Sequence, residues 1–419
     1  MATPSLAIRR TALDNRSFRT LLLVVAGVPV AAQYLWQALI QPLALGAYLG
    51  DFQESYMLAA RTLASGGDPY DFCRRAGCLE PTGPQYVMPP PLAWALQPLI
   101  GVDSRLITIG AILLLNASLF VFLWSVLRAL RVTDWQLSAF LVLIALGFEP
   151  VIGNIEEGQV NLVLLGLSGV WLLAWVHDRW WGGLAMGAAV AIKVIQAPVG
   201  LLILWARRWS MLGAAVVGGL VLWLLPGPRY TLEYLTSVLP AVSQGTGLYE
   251  NHSPGGTITR LLAPDTFLGV VHGSPPAARL MTLVIALAAL AITFAVLRRP
   301  SESSEGRLLE AAAIVAVTPM VASYSWGTHL VLLLLPMLVL VAWSIPRRDW
   351  TVLGLIAAGF VLIGPAHKGM QVLLVSGYSN LVVLRLLAEL GVVGVIAVWA
   401  ASLLALRRVG ESSSSTVSS

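Results

Sequence analysis

Residues 105–127 read RLITIGAILLLNASLFVFLWSVL. After Arg105 the stretch carries no charge, and it exceeds the roughly 20 residues that a helix rising 1.5 Å per residue needs to cross a bilayer. Comparable apolar runs occupy 20–40, 136–150, 159–176, 210–227, 277–297, 308–322, 329–345, 351–367 and 381–406. Two stretches are ambiguous. Residues 88–101 (MPPPLAWALQPLIG) are short and proline-rich, and 181–206 is interrupted near Lys193, Gln196 and Pro198. Taking the first as lying on the membrane and the second as a hairpin gives twelve crossings. Cytoplasmic loops then collect Arg128, Arg131, Arg179, Arg207, Arg208, Arg298, Arg299, Arg347, Arg348, Arg407 and Arg408, as the positive-inside rule requires. The alternative, in which 88–101 crosses and 181–206 crosses once, exports Arg128, Arg131 and Arg179.

The whole composition agrees. Of 419 residues, 57 % are hydrophobic and only 11 % charged, against roughly 25 % charged in a soluble domain. That excludes a soluble enzyme, a disordered chain and a nucleic-acid binder; the net charge of +5 follows from arginines in short loops. Two cysteines cannot make a disulfide framework or a zinc cluster. The expected fold is an all-α polytopic membrane protein of about twelve transmembrane helices. Residues 1–409 form one domain with outer loops 41–104 and 228–276, and 410–419 (GESSSSTVSS) a disordered tail. Arg9, Arg10, Arg16 and Arg19 precede the first span, which reads as an uncleaved anchor. No internal repeat is evident, which weighs against a transporter.

Ionisable groups at membrane depth cost roughly 2.5–3.5 kcal/mol on insertion scales, so they carry the information here. They gather on the outer side. Asp51 follows the first span, ahead of Phe52, Tyr56, Met57, Leu58 and Leu63, whose spacing predicts an amphipathic surface helix over 52–64. Asp51 is either its N-cap or a general base in a partly buried setting. Gly66-Gly67-Asp68-Pro69-Tyr70 is turn chemistry, and Tyr86 precedes the prolines that mark re-entry. The spacing of Cys73 and Cys78 leaves open whether they are bridged. Glu156 and Glu157 read as solvated, and Gln159 and Asn161 as capping the next span. Lys193 either snorkels or offers a cation to a lipid phosphate. His329 opens a span as a structural group or as an active-site imidazole. Arg385 and Glu389, four apart, suggest an ion pair.

Taken in order, these residues resemble glycosyltransferase family 87, a branch of the C-class membrane glycosyltransferases that use polyprenyl-phosphate sugars. The resemblance runs from about residue 45 to 345. It is carried by Asp51, Gly67-Asp68-Pro69-Tyr70, Tyr86 with Pro89-Pro90, and Gly158-Gln159-Val160-Asn161. It continues from Gly187 through Lys193 and Pro198 to Arg207-Arg208-Trp209, and ends at Ser325 to His329. It implies a C-class architecture and a mannosyltransferase-like enzyme of the cell membrane, working on the extracytoplasmic face with inversion and without a metal or cofactor. Asp51 matches the acidic residue taken as general base, His329 an active-site histidine, and Lys193 the lysine ahead of a re-entering helix. Lys193 and Arg260 are then the expected donor-phosphate ligands, with Glu54, Tyr70, Gln159, Asn161, Asn251 and His252 as substrate contacts. The expected partners are a polyprenyl-phosphate sugar donor, a lipid or glycan acceptor and membrane lipids. A lipid-linked sugar flippase or transporter is the alternative.

Overall fold

The computed structural model describes residues 16–71, 73, 78, 86–268 and 273–417. Arg9, Arg10 and the last two residues of the expected tail lie outside the described residues. Among the described residues every regular element is a helix.

The chain enters through α1 (Arg16–Leu45), stopped by Gly46 in a left-handed conformation. Helix α2 starts at Asp51 as a π-helical turn (Asp51–Met57) and continues through Leu58–Ala64. Short α3 (Pro90–Leu96) follows, then long α4 (Ser104–Leu130). α5 (Trp135–Leu146) bends by 49° into α6 (Glu149–Glu157). Next come α7 (Asn161–Val176), α8 (Gly182–Ile192), α9 (Pro198–Trp205) and α10 (Trp209–Leu224), the last turning by 109° into α11 (Pro228–Val242). α12 (Pro254–Leu262) and α13 (Pro276–Leu297) lead to α14 (Ser304–Val321), α15 (Gly327–Arg347), α16 (Trp350–Val375) and α17 (Leu381–Val417). Helix thus reaches into the segment expected as a tail.

Local chemistry sets these boundaries. The Asp103 carboxylate accepts the Arg105 and Leu106 N–H groups at 2.9 and 3.2 Å, and Asp134, Ser253, Ser303 and Asp349 cap α5, α12, α14 and α16 likewise. Proline opens α3, α9, α12 and α13, where its missing N–H costs nothing. Pro198 also explains why 181–206 is not one helix. Its ring would clash with the carbonyl four residues earlier, at Val194. The helix accordingly ends at Ile192, and Lys193 is extended (φ −154°, ψ 119°) before a tight turn at Val194–Gln196. Arg131, Arg207, Arg298 and Arg348 follow helix ends at positive φ, all four exposed.

Two helices form the centre. Nearly every side chain of α14 is buried, and so is 89 % of the apolar window of α15. α4, α7, α16 and α17 pack around them. The outer helices are inverted: Leu280, Leu283, Val284 and Leu287 of α13 and Leu113, Leu114 and Phe120 of α4 point outward. Apolar residues facing out on long helices are what hydrocarbon demands, and the chain is a multi-pass membrane protein.

Against the twelve crossings expected, six helices among the described residues are long and apolar enough to cross, or eight if each bent pair counts as one. The difference lies in α7, α8 and α9, all shorter than the roughly 20 residues a span needs, and in α14, whose first two turns carry Glu305, Arg307 and Glu310. The proline-rich 88–101 stretch forms only α3 and one 3₁₀ turn.

α8 and α10 touch backbone to backbone. A Cβ on Gly187 would lie 2.4 Å from the Ala215 carbonyl oxygen. Small residues allow such an approach, on which helix association in lipid depends. Gly187→Leu is expected to cost about 1–3 kcal/mol, the usual penalty of overpacking, read as a lower midpoint in thermal unfolding of the detergent-purified protein. Gly200→Ala, in open space on α9, is expected not to lower it.

Candidate active site

Gly158 ends α6 at φ +70°, and a Cβ there would sit 2.6 Å from Phe52 Cβ and 2.8 Å from Leu49 Cβ. Only glycine permits both the left-handed turn and this contact. The turn lays 159–161 against the start of α2. Asp51 is the first helical residue there, not the cap: Gly50 holds that position, and the Asp51 carboxylate turns to Gln159 instead.

From that point one hydrogen-bonded chain runs inward. The Gln159 Nε2 amide donates to Asp51 Oδ2. Gln159 Oε1 accepts from the Tyr56 hydroxyl at 2.9 Å and from Asn161 Nδ2 at 3.4 Å. Asn161 Oδ1 accepts from Lys193 Nζ at 2.9 Å, and Lys193 Nζ lies 2.7 Å from His329 Nε2. Gln159, Asn161, Lys193 and His329 are each at most 6 % exposed, so this is a buried polar network within an apolar bundle. The structure therefore brings together Asp51, Gln159, Asn161, Lys193 and His329.

His329 is positioned from three sides. The Trp326 backbone nitrogen lies 3.3 Å from its Nδ1, and the imidazole ring lies 5.8 Å from that of Tyr324. Asn154 of α6 donates to the Thr328 carbonyl at 2.8 Å. Asn251 Oδ1 accepts the Ser325 N–H at 2.9 Å, while the His252 N–H donates to the Ser325 carbonyl at 2.8 Å. Asn251 and His252, expected as substrate contacts, are thus clamps on the loop that carries His329.

Arg260, expected as a phosphate ligand, is engaged by the protein. Its Nε donates to Glu389 Oε1 at 2.7 Å, and Nη1 to the Leu248 and Asn251 carbonyls at 3.1 and 2.9 Å. This corrects the expected Arg385–Glu389 pair, since Glu389 takes Arg260 as its partner. Arg385 instead donates to the Pro264 carbonyl. Tyr70, expected as a substrate contact, is packed inside. It is buried, stacks on Tyr86 with ring centroids 5.8 Å apart, and donates to the Met88 carbonyl at 3.0 Å. Tyr86 donates to the Pro89 carbonyl and accepts the Ala93 N–H, holding the start of α3. Glu54 is exposed and bonded to the Tyr48 hydroxyl. Cys73 and Cys78 are joined by a disulfide.

Beside Lys193 and His329 lies a cavity of about 190 Å³. Apart from those two, its walls are mostly apolar, among them Met88, Ile195, Leu239 and Val321, with Tyr234 and Tyr324. On the Asp51 side the surroundings are acidic. Glu157 and Glu250 are within electrostatic reach of Asp51, while Glu156 pairs with Lys368 at 2.9 Å. Burial pushes the Asp51 carboxyl above the ordinary carboxylate range; Lys193 and the Gln159 hydrogen bond pull it back, and Glu54 adds to the rise. Tyr56, Glu157 and Glu250 are members that sequence reasoning missed. Only the position of Glu157 beside Gly158-Gln159 offered a signal. Among the described residues no three His, Cys, Asp or Glu side chains converge as metal ligands do.

The Arg260 assignment is testable. Removing one partner of a buried ion pair costs about 3–5 kcal/mol, less here because Glu389 is one-third exposed. Arg260→Ala is expected to lower the thermal midpoint while the folded fraction binds polyprenyl phosphate with unchanged affinity. A phosphate ligand would show the reverse.

Residues 86–323 match the sequence profile of glycosyltransferase family 87. Gln159, Asn161 and Lys193 lie inside that match, with Asp51 and His329 on either side of it. The chain is 37 % identical over 131 residues to a polyprenol-phosphate-mannose-dependent alpha-(1-2)-phosphatidylinositol pentamannoside mannosyltransferase of Mycolicibacterium smegmatis, covering 29 % of this chain and 30 % of that protein. It is 29 % identical over 133 residues to an alpha-(1->3)-arabinofuranosyltransferase of Corynebacterium glutamicum, covering 30 % of each chain. To the enzyme of the same name from Mycobacterium tuberculosis it is 30 % identical over 181 residues, 41 % of each chain. The matches thus span less than half the length of these relatives. The profile match, in contrast, covers more than half of this chain, and the chain belongs to glycosyltransferase family 87.

Proposed function

We propose that this protein is a membrane glycosyltransferase that moves a sugar, mannose in the first instance, from a polyprenyl-phosphate donor to a lipid or glycan acceptor on the extracytoplasmic face, with inversion. The observation that carries the reading is the buried network in which a carboxylate and an ammonium occupy two ends of one site, the ammonium beside an apolar cavity. The cavity suits the isoprenoid portion of the donor nearest its phosphate. Lys193 takes the phosphate there, with His329 beside it. Asp51 faces the acceptor and its neighbouring carboxylates Glu157 and Glu250, which suit sugar hydroxyls as donors.

The chemistry is one displacement. Asp51 takes the proton of the acceptor hydroxyl as that oxygen attacks the anomeric carbon. The bond from this carbon to the phosphate oxygen breaks, and the electron pair leaves with polyprenyl phosphate. The charge that develops is met by the Lys193 ammonium. A single attack inverts the anomeric centre.

The same reading sets the topology. The arginine-bearing helix ends face the cytoplasm. α2 lies along the outer surface, and α7, α8, α9 and α14 add four crossings to the eight, making twelve. Residues 1–409 work as one domain.

The test is incubation of the purified protein in nanodiscs with labelled decaprenyl-phosphate mannose, or the arabinofuranose counterpart, and phosphatidylinositol mannosides or arabinofuranosyl oligosaccharides as acceptors. Sugar transfer supports the proposal; translocation of the donor without transfer would replace it by a flippase. Asp51→Asn is expected to reduce kcat by about 10²–10⁴, the range for loss of a general base, with the protein folded. Asp51 must be ionised to act and its carboxyl is raised. Activity is therefore expected to fall as pH drops through a value above the ordinary 3.8, read from the acid limb of kcat/KM.

A further inference from the structure

Asp51 and Lys193 are opposite charges in one buried site, yet among the described residues no ion pair joins them. Two neutral carboxamides stand between. Their orientation follows from the charges at either end. Lys193 has only N–H donors, so Asn161 must turn its oxygen to it. The Asn161 NH2 then points to Gln159, whose oxygen must face it. The Gln159 NH2 is left for Asp51, which as a carboxylate only accepts. Every donor runs from the ammonium side to the carboxylate side. Reversing either amide would set donor against donor. The Tyr56 hydroxyl adds a second donor at Gln159 Oε1 and holds that orientation.

This geometry leaves Gln159 and Asn161 with little to offer a substrate, since both amide groups are engaged by the protein. It also answers a difficulty in the mechanism. A carboxylate and an ammonium brought into contact at low dielectric attract strongly. The pair would lower the basicity of the one and occupy the phosphate-binding capacity of the other. Neutral amides aligned in this way solvate both charges without cancelling either.

We propose that Gln159 and Asn161 are a positioning pair, a dipolar spacer that keeps the Asp51 carboxylate and the Lys193 ammonium from collapsing onto each other. The proposal rests on the reading of those two residues as base and phosphate cation. Asp51 faces Lys193, Glu54, Glu157 and Glu250; Lys193 faces Asp51, Glu157 and His329. A charge placed at either spacer position therefore acts most strongly on the end it adjoins.

The experiment uses two near-isosteric variants of the full-length protein in nanodiscs, with polyprenyl phosphate as the binding probe and the pH profile of sugar transfer as the second readout. Gln159→Glu sets a carboxyl against Asp51, so the acid limb is expected to move up by about one pH unit or more. Its affinity for polyprenyl phosphate stays within about twofold of the original. Asn161→Asp sets a carboxylate against Lys193, so polyprenyl phosphate is expected to bind about tenfold more weakly with the acid limb in place. Where either fails to fold, Gln159→Ala, which removes the donor to Asp51, is expected to raise the limb. Asn161→Ala, which frees Lys193 to pair with Asp51, is expected to lower it and weaken phosphate binding. A uniform loss of kcat in both variants, with limb and affinity unmoved, would mean a purely structural role and overturn the spacer. Asp51→Asn is run alongside. If it keeps full activity, the catalytic reading falls; if it is inactive and the variants do not split, the spacer alone falls.

Discussion

A buried ammonium has three donors and no acceptor, and at membrane depth it cannot borrow water. Lys193 is 4 % exposed, so every polar group around it must present an oxygen or a nitrogen lone pair. That requirement orders the site. It turns Asn161, through Asn161 it turns Gln159, and it brings His329 to within 2.7 Å. The fold supplies the conditions. Pro198 breaks the helix so that Lys193 lies in extended chain, and Gly158 lets the next turn approach α2. The loop before His329 is held by Asn154, Asn251 and the His252 backbone. Each of these is a polar residue satisfied in an apolar surround, a costly arrangement unless complete.

The sequence made part of this legible, for a reason that can be stated. Asp51, Lys193, Gln159, Asn161 and His329 stand out because polar residues beside apolar runs need partners. The helices were legible from composition, and the break near Lys193 from its flanking polar residues and Pro198. What was not legible is pairing across the chain. Arg260 meets Glu389, 129 positions away, while the nearer Arg385 offered a plausible i,i+4 partner that the helix does not use. The turn chemistry around Tyr70 gave no sign that its ring packs in the interior against Tyr86 and Tyr234. Apolar helices of 11 or 16 residues fall short of a length criterion, so the crossing number could not be read from hydropathy alone.

The two ends of the network have different surroundings, and this separates their tasks. Lys193 adjoins an apolar cavity; Asp51 adjoins Glu157 and Glu250. A substrate with a lipid tail and a substrate rich in hydroxyls would sort themselves by these environments before any specific hydrogen bond forms. The two amides mark the boundary between them.

The arginines at the helix ends have a consequence for depth. Arg131, Arg207, Arg298 and Arg348 accept a backbone conformation that glycine would adopt more easily, yet glycine would carry no charge there. Drawing any one of them into hydrocarbon costs about 3 kcal/mol. Lying together at one membrane surface, as the proposed topology has them, four such ends would act as moorings against sliding along the bilayer normal. In the topology proposed above, a site at the far end of such helices would keep a constant height above the headgroups, and a donor anchored in the same leaflet would present its phosphate at one level.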